Sequence, residues 1–204
     1  MIRPIMRRVL ALVLFAGAAA PAGASEVYQI STISSLLAGG YDGDTTVGEL
    51  TRHSGFGLGT FNGVDGEMMV LDGEVFRGSV DGRAHVVASS EVTPFAVVVP
   101  LRPQGSVPIA AGQSLDALPY SASRALAARV EGRFRAVAVR SEPKQQPPYR
   151  PLAGVMKAQQ VVHTLVDVDG TLIGFRFPAA ASSVNVPGWL SIFSARTRRV
   201  AAMC

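Results

Sequence analysis

Cysteine is almost absent: the 204 residues contain one, Cys204. No internal disulfide can brace the fold, and a thiolate nucleophile or Cys-rich metal site is excluded from the body of the chain. Histidine is scarce as well. His53, His85 and His163 are the only three, and none shares an HxH, HxxxH or HxxE spacing with another ligand. Each reads as a structural or surface histidine. No G-x-S-x-G elbow and no phosphate-binding P-loop occurs, which removes two common catalytic frameworks. Gly55-Phe-Gly-Leu-Gly59 does not fit G-x-G-x-x-G. A basic surface is missing too, despite a formal charge of +4 and a pI of about 9.7. Six arginines at the two termini (Arg3, Arg7, Arg8, Arg196, Arg198, Arg199) face no acidic residue in those segments, so residues 25–195 carry −2. A nucleic-acid partner is therefore not expected.

The first 24 residues have the pattern of an export signal. A basic start leads into Val9-Leu-Ala-Leu-Val-Leu-Phe15 and ends at Pro21-Ala-Gly-Ala24, a small-x-small pattern. The run is too short, and its tail too rich in Ala and Gly, for a membrane span. Periplasmic or extracellular localisation is expected, with no stable membrane span after cleavage. Removal of residues 1–24 leaves 180, enough for a sizeable core in one domain or two small lobes.

What is present is glycine, hydrophobic strands and a few placed polar groups. Gly55–Glu67 holds five glycines, and set among them are Thr60, Asn62, Asp65 and Glu67. Glu67–Leu71, an Asp72-Gly73 turn and Glu74–Ser79 read as a buried hairpin. Polar groups at the mouth of such a hairpin suggest a site; a glycine-rich loop between two strands is the alternative. Val27–Ile30 reads as a strand, Ile33–Leu37 as a helix capped by Ser31 or Thr32, and Val47–His53 as a helix capped by Asp44 or Thr45. Ala84–Ala88 and Phe95–Leu101 read as strands, and residues 102–113 as a loop. Ser121–Val130 has the spacing of an amphipathic helix and Arg133–Arg140 alternates as a strand. Pro143–Pro151 reads as a mobile or polyproline-like stretch. Val161–Phe177 reads as a second hairpin turned at Asp169-Gly170.

The remaining chemistry is carboxylate plus arginine. Glu67 can serve as a general acid or base, or as a metal ligand. Arg140 ends a strand beside the Pro-rich stretch, where it can grip a carboxylate through two parallel bonds; a solvated strand end is the alternative. Arg176 is a weaker candidate of the same kind.

In order along the chain, the segments resemble the α-acetolactate decarboxylase family. The resemblance is carried by Val27–Tyr41, Gly57-Leu-Gly-Thr-Phe-Asn62, Asp65–Gly73, Thr93-Pro-Phe-Ala-Val97, Val139-Arg-Ser141 with Pro148-Tyr149, Gly170–Arg176 and Asn185-Val-Pro-Gly188. It implies a two-lobed α/β (α+β) protein with mixed β-sheets and a few short helices. Its lobes would be residues 25–118 (N-terminal, mixed sheet) and 119–188 (C-terminal, β-rich and incomplete at its end). The activity implied is conversion of the small-molecule substrate (S)-2-acetolactate to (R)-acetoin and CO2, in acetoin and butanediol synthesis. In the family a zinc ion held by three histidines acts as electron sink. Arg140 matches the arginine that holds the carboxylate, Glu67 the proton-handling glutamate, and Thr60 a site hydroxyl. The resemblance leaves room for a homodimer.

The resemblance stops after Gly188. The family continues G-Y-H-L-H-F-L-S and later G-G-H-V, which carry the zinc histidines. Here residues 189–204 contain none, and the family's second site glutamate is missing too. The expected metal set of this chain is therefore none, with zinc a property of the family only. Recoded within codon degeneracy and shifted by two bases, Ser191–Thr197 reads His-Leu-Leu-Ser-Ala-Asp and Val200–Cys204 reads Gly-Gly-His-Val, so the tail has the form of a frameshift product. Three functional readings follow: an exported acetolactate decarboxylase; a truncated, metal-free and largely inactive remnant of one; or a non-catalytic β-rich binding module. Trp189–Phe193 and the basic tail have no clear partner in this reading, and low stability or aggregation is expected.

Overall fold

The computed structural model describes residues 9–13, 26–120, 123–196 and 201–203. Of the expected leader it describes only the backbone of Val9–Val13; the rest of the leader, and residues 197–200 and 204 of the tail, lie outside the described residues. In chain order the elements are β1 (Val9–Val13), β2 (Tyr28–Ile30), α1 (Ile33–Leu37), β3 (Thr45–Thr46), α2 (Val47–His53), β4 (Gly57–Thr60), β5 (Glu67–Leu71), β6 (Glu74–Gly78), β7 (Ala84–Val86), β8 (Val92–Thr93), β9 (Phe95–Val98), β10 (Ser106–Ile109), β11 (Leu126–Ser141), α3 (Leu152–Gln159), β12 (Val161–Phe177), β13 (Gly188–Ala195) and β14 (Ala201–Met203). The chain is an α+β protein, rich in strands with a few short helices.

Asp72 and Gly73 both adopt positive φ, 54° and 84°, and turn β5 into β6. That is the backbone an Asp-Gly hairpin turn demands. The first sheet runs β2-β9-β4-β5-β6-β7 and the second β10-β1-β11-β12-β13-β14. β1 and β10, both earlier in the chain than residue 118, belong to the second sheet. The sheets meet across an apolar seam. Phe56, Leu58, Met69, Val97 and Val99 of the first pack against Ala127, Ile173, Phe175, Phe177 and Ile192 of the second. The other face of the first sheet packs Met68, Val70, Ala96 and Val98 against Val47 and Leu50 of α2. Alternate residues of β5 thus serve two cores, as strand geometry requires.

Several sequence expectations are corrected. Only part of the glycine-rich stretch is a connection: Gly57–Thr60 is a fully buried strand between β5 and β9, and residues 62–66 turn it into β5. A Cβ on Gly59 would run into the Phe95 carbonyl and Ala96 of β9, so glycine here serves close approach between strands. The helix expected over Ser121–Val130 is absent from 123 onward, where Leu126–Val130 is strand. Pairing with β12 on one side and β1 on the other overrides the helical preference of its alanines. The hairpin expected at Asp169-Gly170 is one continuous strand instead. β12 runs through both residues, and Gly170 lies opposite Gly132 of β11. A Cβ on Gly170 would clash with the Phe193 ring, so this glycine makes room for an aromatic side chain rather than for a turn. The cap of α2 is Thr46, not Asp44 or Thr45, and it forms a reciprocal capping box with Glu49. Residues 102–113 include a strand, β10. Pro151 opens a helix, α3, that the sequence reading left unassigned.

The start of the tail is also corrected. Trp189–Phe193 has a partner: β13 pairs residue for residue with Gly170–Phe177 of β12. Ile192 lies in the seam, and Phe193 packs edge-on against Phe134 at 5.0 Å. Phe193→Ala should cost about 3–5 kcal/mol in urea unfolding, the usual loss for a fully buried ring. An unchanged midpoint would mean that β13 is not part of the folded core.

Candidate active site

Two neighbouring strands place the first two polar groups. Thr60 of β4 and Glu67 of β5 are register partners, so their side chains share a sheet face. It is the face carrying Leu58 and Met69, which points into the seam. The segment between them, residues 62–66, is a tight turn with positive φ at Gly63, Val64 and Gly66. Thr60 braces it: its hydroxyl donates to the Gly66 carbonyl at 2.7 Å, and its own carbonyl accepts from the Thr93 hydroxyl at 2.7 Å.

The other half of the site comes from the second sheet. The Ser141 hydroxyl donates to the Gly78 carbonyl at 3.0 Å, and Gly78 is the register partner of Glu67. This bond fixes the end of β11 beside β5 and β6. Arg140 and Glu142 flank Ser141 and enter the same cavity as Glu67. The link continues where the Gln145 amide donates to the Gly63 carbonyl at 2.7 Å.

The cavity has a volume of about 240 Å³. Its polar groups are Thr60, Glu67, Arg140 and Glu142; its apolar walls include Leu36, Leu58, Phe95, Met156, Trp189 and Leu190. Glu67 and Glu142 are 5% and 7% exposed. Burial drives the Glu67 carboxyl well above its ordinary value of 4.5, and the adjoining, hydrogen-bonded Glu142 carboxyl raises it further. The Arg140 guanidinium acts in the opposite sense without cancelling the rise. The Gln160 side-chain amide donates to Oε1 of Glu142 at 2.8 Å. The result is a protonatable acid next to a cation in an apolar chamber, suited to binding a small carboxylate and donating a proton to it.

A larger open groove of about 590 Å³ lies elsewhere, lined by Ser54, Phe56, Asp72, Arg129 and Glu131 among others. Its guanidinium is already held by Asp72 at 2.7 Å and Glu131 at 2.6 Å. The smaller cavity is the one on which Thr60, Glu67 and Arg140 converge.

Of the other candidates, Asn62 spans two backbone groups, accepting from the Gly43 amide and donating to the Gly43 carbonyl. Asp65 faces Arg77 at 3.5 Å. Arg176 stacks over Tyr120 at 4.5 Å and does not line the cavity. His53 stacks on Tyr28, His85 lies beside Asp81, and the His163 ring is hydrogen-bonded to the Val80 carbonyl. Among the described residues no histidine or cysteine lines the cavity, and no three His, Cys, Asp or Glu side chains come together. The donors present do not fit a three-imidazole zinc site. Glu142 escaped the sequence reading, although R-S-E places it two residues from Arg140 and so on the same side of an extended strand.

The family model for alpha-acetolactate decarboxylase matches residues 27–201. The chain belongs to the alpha-acetolactate decarboxylase family. It is 44% identical over 171 residues to the alpha-acetolactate decarboxylase of Methylococcus capsulatus, covering 80% of this chain and 65% of that one. The match to the Klebsiella aerogenes protein of the same name is 38% over 172 residues, covering 81% and 66%. The chain thus spans slightly less than two thirds of these curated relatives. The crystal structure of the Bacillus subtilis strain 168 alpha-acetolactate decarboxylase superposes with a TM-score of 0.81 at 34% identity, covering 87% of this chain and 78% of that one.

The raised Glu67 carboxyl makes stability depend on pH. Its proton is held more tightly in the folded than in the unfolded chain. The associated stability is complete below the ordinary value and is lost as pH rises toward the raised one. Glu67→Gln removes this dependence. Urea unfolding across pH should show the variant gaining on the parent above pH 4.5, by up to about 1.4 kcal/mol per pH unit. Parallel curves would show that Glu67 titrates alike in both states.

Proposed function

We propose that the chain acts as an acetolactate decarboxylase, taking (S)-2-acetolactate to (R)-acetoin and CO2 in the cavity between the sheets. The observation that carries this reading is the convergence of Glu67 and Arg140, from different sheets, on one apolar chamber of substrate size. Membership of the decarboxylase family supports it.

In this reading Arg140 binds the substrate carboxylate. The bond between that carboxylate and C2 breaks, and its electron pair moves toward the neighbouring ketone oxygen. The Glu67 carboxyl, kept protonated by its surroundings, donates to that oxygen as charge develops there. An uncharged enediol forms and CO2 leaves. Proton delivery to C2 and loss of the enediol proton then give acetoin, and one solvent proton restores the acid. The apolar walls favour loss of the carboxylate charge. Thr60 keeps Glu67 in place by bracing the turn before it.

A second reading is favoured by the absence of imidazole from the cavity lining: the chain binds the hydroxy-keto acid but turns it over poorly. Zinc held by family histidines would supply a Lewis-acid electron sink, and the residues lining this cavity do not form such a site. Export through removal of residues 1–24 is proposed on the basic and apolar pattern of that segment; it would take β1 from between β10 and β11.

Acetoin formation from racemic acetolactate, together with calorimetry on the unreactive 2,3-dihydroxy-2-methylbutanoate, tests both readings. Turnover with one enantiomer consumed, and analogue affinity reduced about 10- to 100-fold in Arg140→Ala, is the expected result. Binding without acetoin selects the second reading. Affinity indifferent to Arg140 would point to a non-catalytic module.

A further inference from the structure

The cavity contains an acidic group that neither the sequence reading nor the family resemblance assigns. Glu142 is 7% exposed, lines the chamber with Glu67 and Arg140, and acts on the Glu67 carboxyl to raise it. Two carboxylates in contact cannot both ionise without strong repulsion, so such pairs hold one proton between them. One guanidinium beside the pair balances the single remaining negative charge. The Gln160 amide, at the end of α3, points a donor at Glu142 rather than at Glu67. Of the two carboxyls, Glu67 is the one whose proton is held well above the ordinary value, and the Gln160 donor meets the other.

Resting on the reading of this cavity as the decarboxylase site, we propose that Glu142 is a positioning residue of the reaction: it holds the shared proton on Glu67, directed at the substrate, with Gln160 fixing which of the two carboxyls is ionised. The second acidic group thus lies within the same stretch of chain as Arg140. Among the described residues, the charged and titratable groups acting on the pair are Arg140 of β11 and Tyr41 from the loop after α1, whose phenol is raised by burial and by the Glu142 charge. The side chains that α1, α3 and β13 contribute to the lining carry no charge.

The test compares full-length wild type with Glu142→Gln and Gln160→Leu. Infrared spectroscopy follows the protonated-carboxyl band across pH, and acetoin formation is measured over the same range. Glu142→Gln removes the like charge and offers Glu67 an amide donor that favours ionisation. The band and the alkaline fall of kcat should both move down by about one pH unit or more, with the KM for acetolactate not raised, because Arg140 remains and the charge that competes for it is gone. Gln160→Leu removes a donor from the ionised form and should move both midpoints up. Glu67→Gln abolishes the band.

A purely structural role would lower the melting temperature and leave both midpoints in place, and that result would overturn the proposal. If Glu142→Gln does not fold, the upward movement in Gln160→Leu still decides it: no movement, or movement downward, contradicts the proposal. The two layers also fail separately. A wild type that makes no acetoin but shows the movable band would sink the decarboxylase reading and leave the carboxyl pair standing. Normal acetoin formation with an immobile band would do the reverse.

Discussion

The apolar seam between the two sheets governs everything else in the molecule. Leu58, Met69 and Val97 pack there against Ile173, Phe175 and Ile192, and the same faces carry Thr60 and Glu67 at one end. Without that packing, Glu67 would be an ordinary solvated carboxylate. With it, the acid is closed off from water and its proton is retained. A hydrogen bond from Ser141 to Gly78 carries the end of β11 to the same place. The chemistry of the site is thus a consequence of how two sheets meet, with each sheet contributing part of the polar set.

Local chemistry was legible where one short segment decides the outcome. The Asp72-Gly73 turn, the helices over Ile33–Leu37 and Val47–His53, and the strand Phe95–Val98 all follow from residues within a few positions of each other. The failures share a cause. Leu126–Val130 has helical spacing and alanine content, yet its neighbours in space are strands on both sides. Asp169-Gly170 looks like a turn, but the glycine accommodates Phe193 from a distant strand. Gly57 and Gly59 look like loop residues and are buried strand because β9 packs so closely beside them. In each case a partner remote in sequence decided the backbone, and no local pattern records that partner.

The site was legible in the same uneven way. Resemblance singled out Glu67, Arg140 and Thr60, and all three line one cavity. Thr60 has an evident bracing task through Gly66. Glu142 went unseen because a charged residue after a strand usually faces solvent; here a cavity wall and Gln160 enclose it. Trp189 and Leu190, from the stretch that the sequence reading set apart but that the family match includes, form part of the wall. That stretch therefore still shapes the chamber while contributing no imidazole to it.

The central claim is that this chamber holds the substrate with its carboxylate on Arg140 and its ketone end toward Glu67. A crystal structure of the full chain with 2,3-dihydroxy-2-methylbutanoate tests it most directly. The account predicts the ligand carboxylate paired with Arg140, and the ligand oxygen that replaces the ketone within hydrogen-bonding distance of Glu67. A ligand seated instead in the groove at Arg129, with the chamber between the sheets left empty, would contradict it.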